Sequence, residues 1–360
     1  MRLRLAAALA AVFALAVLLA SLGLAPATAA ARPIEVRVVI VATWEAELNG
    51  HDLLGELHAW RTGWPLTVSM PFPAGNHDLL YDPKRHVLAT VTGMATARAA
   101  ASIMALGLDP RFDLSHAYWI VAGTAGVDPK VASAGSVAWS RWVVDGDLAQ
   151  ELDPRDAPPD WPTGIVPYDR TTPYQTPAPP GLSHTANVAY PLNPKLVDWA
   201  FARSQATPLP DDALLQRLRA PYAGEGARPP FVLEGDGLMS ARNWYGDKLN
   251  DWAERWVSYW TGGAGVFAMS AEEDSGILLA LTQLDHAGRA KLDRVLVLRA
   301  GSDYTVPPPG ESAAEFLAKE TKAGFPATPE ALAGLYAVAA PIARFLSDDW
   351  ARTRDAVPGP

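Results

Sequence analysis

Gly265-Val266-Phe267-Ala268-Met269 runs into Ala271-Glu272-Glu273-Asp274-Ser275-Gly276, and Val295-Leu296-Val297-Leu298 runs into Arg299-Ala300-Gly301-Ser302-Asp303. Each is an apolar run that ends in carboxylates. Short apolar runs of this kind read as strands buried on both faces. In an open α/β sheet, ligands bind outside the carboxyl ends of such strands. Carboxylates held there can grip hydroxyl groups or pass a proton. Glu272, Glu273 and Asp274 cannot all face one way, so at most two are expected in a pocket. Carboxylates at a helix start also serve as partners of the helix dipole, and Asp303 could equally cap the element that follows it.

Outward from these runs the pattern repeats. Ile34–Ala42 reads as a first strand and Val87–Val91 as a second, ending in Thr92-Gly93. The Ala-rich Met94–Leu106 reads as a helix. Ala117–Ala122 is a third buried strand, expected to close in a turn at Gly123-Thr124-Ala125-Gly126, and Ser136–Val144 is a further strand. Strands alternating with helices give an α/β fold with a mostly parallel or mixed sheet. Between about 153 and 230 the prolines Pro158, Pro159, Pro162, Pro167, Pro173, Pro177, Pro179 and Pro180 break regular structure. This insertion is read either as irregular surface or as a lid or subunit-contact loop, with helices at Leu196–Ala206 and Ala213–Ala220. Order resumes at Phe231-Val232-Leu233. A helix is expected at Lys248–Trp260, and two more close the chain at Ala313–Ala323 and Ala331–Leu346.

The amino terminus has its own logic. Arg2 and Arg4 precede an apolar stretch from Leu5 to Ala25 and the small residues Ala27-Thr28-Ala29. This reads as a secretory signal over residues 1–29, cut before Ala30. A retained membrane anchor is the competing reading. The chain has no cysteine, which excludes disulfides and thiolate metal sites and suits a periplasmic or secreted protein that folds without bridges. No other apolar run approaches membrane length by this reading, so residues 30–360 are not expected to form a pore. A net charge of −9 argues against nucleic acid as a partner.

Thr92-Gly93-Met94-Ala95-Thr96-Ala97 joins a strand to a helix, where small residues let a ligand approach the backbone. Glu234-Gly235-Asp236-Gly237 follows a strand and is followed by Trp244 and Tyr245, whose faces suit stacking on a flat heterocycle. With 13 tryptophans in the chain, core packing is the alternative for Trp244. His51, His58, His77, His86, His116, His184 and His286 do not fall at ligand spacing, so no metal is expected. There is no Gly-x-Ser-x-Gly elbow and no Gly-x-Gly-x-x-Gly fingerprint. No cofactor is expected.

Taken together, the Thr92-Gly93-Met94 turn, Gly123-Thr124-Ala125-Gly126-Val127, Gly135-Ser136-Val137, Glu234-Gly235-Asp236 and the two carboxylate segments resemble the nucleoside phosphorylase superfamily. The resemblance spans about Ile34 to Arg344 and is strongest to the branch of purine nucleoside permeases, to which the first strand with Val38, Ile40, Trp44 and Glu45 and the long insertion are also similar. It implies a three-layer α/β fold with a mixed central sheet flanked by helices. It implies that Glu273 grips ribose hydroxyls, that Ser302-Asp303 faces the purine N7, and that Gly93 and Thr124 hold an anion or an attacking water. Glu272 stands where the family has Met, and Val121 where phosphorylases commonly carry Arg. Without that cation phosphorolysis is disfavoured, because phosphate is strongly anionic. The expectation is an exported protein that binds purine nucleosides and supports their uptake, with Gly93, Thr124, Asp236, Trp244, Glu272, Glu273 and Ser302 binding substrate and Asp303 as the proton donor. Cleavage of the N-glycosidic bond, by water or by phosphate as a second ligand, is the rival, and a scaffold that kept only the fold is a third class. A membrane transport partner and a homo-oligomer are compatible with this reading.

Overall fold

The computed structural model describes residues 32–45, 54–176, 178 and 188–360. The expected signal segment at residues 1–29 lies outside the described residues. Twelve strands form the main sheet: β1 (Val38–Ala42), β2 (Val68–Met70), β3 (Leu79–Asp82), β4 (Val87–Val91), β5 (Tyr118–Val127) and β6 (Val137–Trp139) come first. They are followed by β7 (Trp142–Asp145), β8 (Ala189–Pro191), β9 (Val232–Glu234), β10 (Asp236–Met239), β11 (Phe267–Ala271) and β12 (Val295–Tyr304).

All residues of β1, β4 and β12 are buried, as strands covered on both faces must be. β1 lies parallel between β4 and β5, and β5 is also parallel to β12 along its whole length. β11 joins the far half of β5 in antiparallel register, Met269 opposite Val127 and Ser270 opposite Gly126. The sheet is therefore mixed, as expected, and this crossing brings the ends of β11 and β12 to one place.

Two strands outrun their sequence expectation. β5 does not turn at Gly123 but stays paired through Val127, and β12 continues through Ser302 and Asp303, with a register shift between Gly301 and Asp303. Asp303 is thus a strand residue rather than the cap of a later element. Ser136–Val144 is two strands instead of one. The break falls at Ser140-Arg141, where Asp236 accepts hydrogen bonds from the backbone N–H groups of Arg141 (2.9 Å) and Trp142 (2.7 Å).

Helices cover the sheet. α1 (His58–Gly63) and α2 (Thr96–Leu108) precede α3 (Pro194–Ser204) and α4 (Ala213–Arg219) in the insertion. Then come α5 (Asp247–Trp260), α6 (Asp274–His286), α7 (Ala313–Ala323), α8 (Thr328–Asp348) and the short α9 (Trp350–Thr353). α8 is long and apolar enough to cross a membrane by length and composition, which corrects the expectation that no further run has that character. It packs on β5 and β12, and Leu335, Val338, Ile342 and Leu346 are buried there. α2 and α6 cross closely because two glycines give way. A Cβ at Gly276 would lie 2.2 Å from the Thr96 carbonyl oxygen, and one at Gly107 would lie 2.2 Å from Leu284.

The insertion is more regular than its prolines suggest. Residues 149–151 and 165–167 form an antiparallel ribbon, and β8 closes one edge of the main sheet against β7. Asn193 and Asp212 cap α3 and α4 through their side chains, with Pro194 at the first turn of α3.

Candidate functional site

A cavity of about 270 Å³ opens where β1, β5, β11 and β12 end. Its wall includes Thr43 and Trp44 after β1, Thr124 and Gly126 on β5, Glu272 and Glu273 after β11, and Arg299, Ser302 and Asp303 on β12. Glu56, Met94, Arg242, Asn243 and Phe325 complete much of the remainder.

Its floor is an ionic network around Arg299, which is 1% exposed. The guanidinium donates through Nε to Asp274 Oδ2 (3.0 Å), through Nη2 to Asp274 Oδ1 and to Glu273 Oε2 (2.9 Å), and through Nη1 to the Thr124 carbonyl oxygen (2.9 Å). Burial alone would lower its pKa, but Asp274, Glu273 and Glu56 hold the charge firmly in place. Gly123 makes room for this arrangement: a Cβ there would meet Arg299 Nη1 at 2.4 Å and Glu56 Oε1 at 2.8 Å. That close approach, rather than a turn, explains the glycine.

Glu273 is buried, and its pKa is pushed up to about 7 by burial, opposed by Arg299 and reinforced by Glu56, Asp274 and Glu272. Its Oε1 accepts from the Ala95 N–H at 3.3 Å. Ala95 sits at φ 72°, ψ 154°, a region that disfavours side chains, so backbone strain is concentrated beside the carboxylate. Glu272 is raised by burial, with Arg299 lowering and Asp147 raising it.

Asp303 is 7% exposed. Burial pushes its carboxyl up to about 7, against the lowering effect of hydrogen bonds from Tyr245 and Ser302. The Ser302 hydroxyl donates to Asp303 Oδ1 at 3.3 Å. At neutral pH this acid is poised between its two states, which suits a group that donates to, or shares a proton with, a ring nitrogen.

Of the residues that the sequence reading singled out, Thr124, Glu272, Glu273, Ser302 and Asp303 line one cavity. Gly93 stands just before the lining residue Met94, in a left-handed conformation at φ 82° against Asn76. The structure does not bring Asp236 and Trp244 to the cavity. Asp236 spends its carboxylate on the backbone N–H groups of Arg141, Trp142 and Val266, holding β7, β10 and β11 together. Trp244 packs among Trp252, Trp256 and Phe267 in an aromatic cluster. None of the described residues of 153–230 lines the cavity, so the expected lid is not part of its wall. Arg242 in the wall is paired with Asp147 (3.7 Å) and Glu151 (3.5 Å).

Sequence reading missed Glu56 altogether and gave Arg299 no role beyond its place in the second carboxylate segment. Glu56 carries no local signal: its partners Thr43 and Thr124 are distant in the chain and meet it only in the fold. Arg299 could have been found from its place inside a strand otherwise made of apolar and small residues, where a cation needs carboxylate partners.

Comparison with known proteins agrees with this architecture. Residues 35–358 match the family described as purine nucleoside permease (NUP). A probable purine nucleoside permease of Schizosaccharomyces pombe is 32% identical over 219 residues, covering 59% of this chain and 63% of that protein. A purine nucleoside permease of Candida albicans is 31% identical over 268 residues, covering 72% of this chain and 63% of that protein. The chain therefore spans 63% of the length of these relatives. Among solved structures, the 5'-methylthioadenosine/S-adenosylhomocysteine nucleosidase of Colwellia psychrerythraea 34H, crystallised with adenine, superposes with a TM-score of 0.50 at 14% identity. That match covers 86% of this chain and 94% of the nucleosidase. At that identity the likeness is one of fold, the nucleoside phosphorylase type.

Proposed function

The chain belongs to the purine nucleoside permease family, and from that premise we propose that it captures purine nucleosides outside the cytoplasm and supports their uptake. The observation that carries this reading is the pairing of Glu273 and Asp303 in one small cavity. Its volume of about 270 Å³ lies near the lower bound of small-molecule sites, roughly 300 Å³, and suits a single nucleoside better than a polymer. The half-protonated Asp303 donates to a purine ring nitrogen. Glu273 keeps a free lone pair on each oxygen beside its bonds to Arg299 and Ala95, and accepts from ribose hydroxyls. Met94 and Phe325, both exposed in the wall, offer apolar surface to the base. Uptake here means capture and hand-over to a membrane partner, with residues 1–29 as the export signal, because the membrane-length helix α8 is committed to the core.

A second reading is favoured by the same acid: with its pKa near 7, Asp303 could protonate the base while water attacks the sugar, which makes the protein a nucleosidase. One experiment separates these readings. Purified protein is titrated calorimetrically with adenosine, inosine and uridine, and the mixtures are assayed for free base with and without phosphate. Saturable purine nucleoside binding with intact ligand supports capture, and free base in both buffers supports hydrolysis. No saturable binding of either purine nucleoside overturns the proposal.

A further inference from the structure

Five hydrogen-bond donors, from the residues just after β1 and from Thr124 within β5, converge on one side chain at the cavity floor. Glu56 Oε2 accepts from the Thr43 N–H (2.6 Å), the Thr43 hydroxyl (3.0 Å) and the Trp44 N–H (3.1 Å). Glu56 Oε1 accepts from the Thr124 N–H (2.7 Å) and the Thr124 hydroxyl (3.2 Å), with Arg299 Nη1 at 3.9 Å. Backbone N–H groups and hydroxyls pointing inward beside a guanidinium are the chemistry that binds an oxyanion. The carboxylate that fills this cradle comes from a third segment, just before α1, and is 2% exposed.

We propose that Glu56 is a resident anion that closes this subsite to free oxyanions such as inorganic phosphate, and so determines that the cavity takes ligands that are neutral at this end. The inference rests on the cavity being the ligand site, and deepens that reading by naming the residue that sets ligand charge. Each backbone N–H and each hydroxyl has one hydrogen to give, and all five are given to Glu56. A phosphate entering here would have to strip them from a buried carboxylate and leave it unpaired. It would also face Glu56, Glu272 and Glu273 together. Arg299 offers little relief, because four of its five N–H groups serve Asp274, Glu273 and the Thr124 carbonyl and the fifth lies between the Thr43 hydroxyl at 3.5 Å and Glu56 at 3.9 Å.

The test is a titration of the purified protein with inorganic phosphate alone, by calorimetry and by phosphorus NMR line width. The parent is expected to show no saturable binding at millimolar phosphate. Glu56→Ala, which empties the cradle, is expected to bind phosphate at least about tenfold more tightly. Glu56→Gln, which keeps the shape and loses the charge, moves in the same direction and serves if the Ala variant does not fold. Saturable binding by the parent overturns the proposal, as does a variant that is folded by circular dichroism yet still ignores phosphate. Should neither variant fold, the parent titration decides alone. Because the titrant contains no nucleoside, a parent that rejects both phosphate and nucleoside defeats only the capture reading, while one that binds both defeats only this proposal.

Discussion

Gly123 shows how tightly the site is packed at the level of single atoms. Adding one methyl group there places a carbon 2.4 Å from Arg299 and 2.8 Å from Glu56, and both neighbours are buried and held by several hydrogen bonds. Gly123→Ala is expected to cost about 1–3 kcal/mol of stability and to weaken nucleoside binding by at least about tenfold, as read by chemical denaturation and calorimetry. Asp303 allows a sharper test. Burial raises its carboxyl to about 7, and under the proposed function the protonated form is the donor. Through Asp303, nucleoside affinity should fall about tenfold per unit above that pH, whereas below it any change comes from Glu273, whose acceptor carboxylate is protonated over the same range. Asp303→Asn keeps a donor at every pH, so its affinity should stay within about tenfold of the parent at neutral pH and lose the alkaline decline, while any turnover drops by roughly 10²-fold. A parent whose affinity ignores pH from mildly acidic to alkaline buffer would rule out the donor role. Residues at the ends of apolar runs, such as Glu273 and Asp303, were legible because strand ends are where such sheets bind. Glu56 was not, since nothing in Gly55-Glu56-Leu57 marks it, and Trp244 misled because an aromatic beside a glycine turn looks the same whether it faces a ligand or the core.

Among the elements, the crossing of α2 and α6 is the most exposed to substitution. The Thr96 carbonyl lies where a Gly276 side chain would be, and a backbone oxygen has nowhere to retreat. Gly276→Ala should therefore destabilise the protein by about 1–3 kcal/mol. It should also disturb Glu273, whose Oε1 receives the N–H of Ala95 at the start of α2. A variant with parental stability in urea would refute the close crossing. The helices that the sequence reading named were placed to within a few residues, and α7, which starts in a Ser312–Glu315 capping box, matched its expected range. By contrast, α1 and α6 were not expected. Strands were placed less well where polar or small residues continue them. β5 and β12 run on through Gly-rich or charged positions because pairing on both sides, not composition, sustains them. The gap between β6 and β7 depends on Asp236, a partner that sequence order does not reveal.

For the molecule as a whole, the buried acids set a preference for mildly acidic conditions. Burial raises Asp303 and Glu273 to about 7, Asp128 to about 6 and Glu320 to about 8. A carboxyl whose folded pKa exceeds its unfolded value gives stability that is complete below the unfolded value, near 4, and is lost as pH rises through the folded one. Asp109 and Asp113 shift the other way through bonds to Arg111 and Ser115, so their contribution is lost below about pH 4. Stability in urea should peak near pH 5 and fall toward pH 8; a flat or rising profile over that interval would contradict the burial of these acids. The α/β sheet and its flanking helices were readable from the alternation of strands and helices, and the two helices of the insertion, α3 and α4, were placed to within two residues. The insertion's prolines hid the edge strand β8, which pairs with β7. The partnership of β5 with β12 also governs how the chain must assemble. β5 is synthesised early, yet its longest neighbour arrives from the far end of the sequence, so one open edge waits through most of translation. Non-local pairing of this kind slows folding and leaves strand edges free to stick to other chains. Chains that stop before Val295 should therefore be recovered as aggregates rather than as truncated, soluble binders.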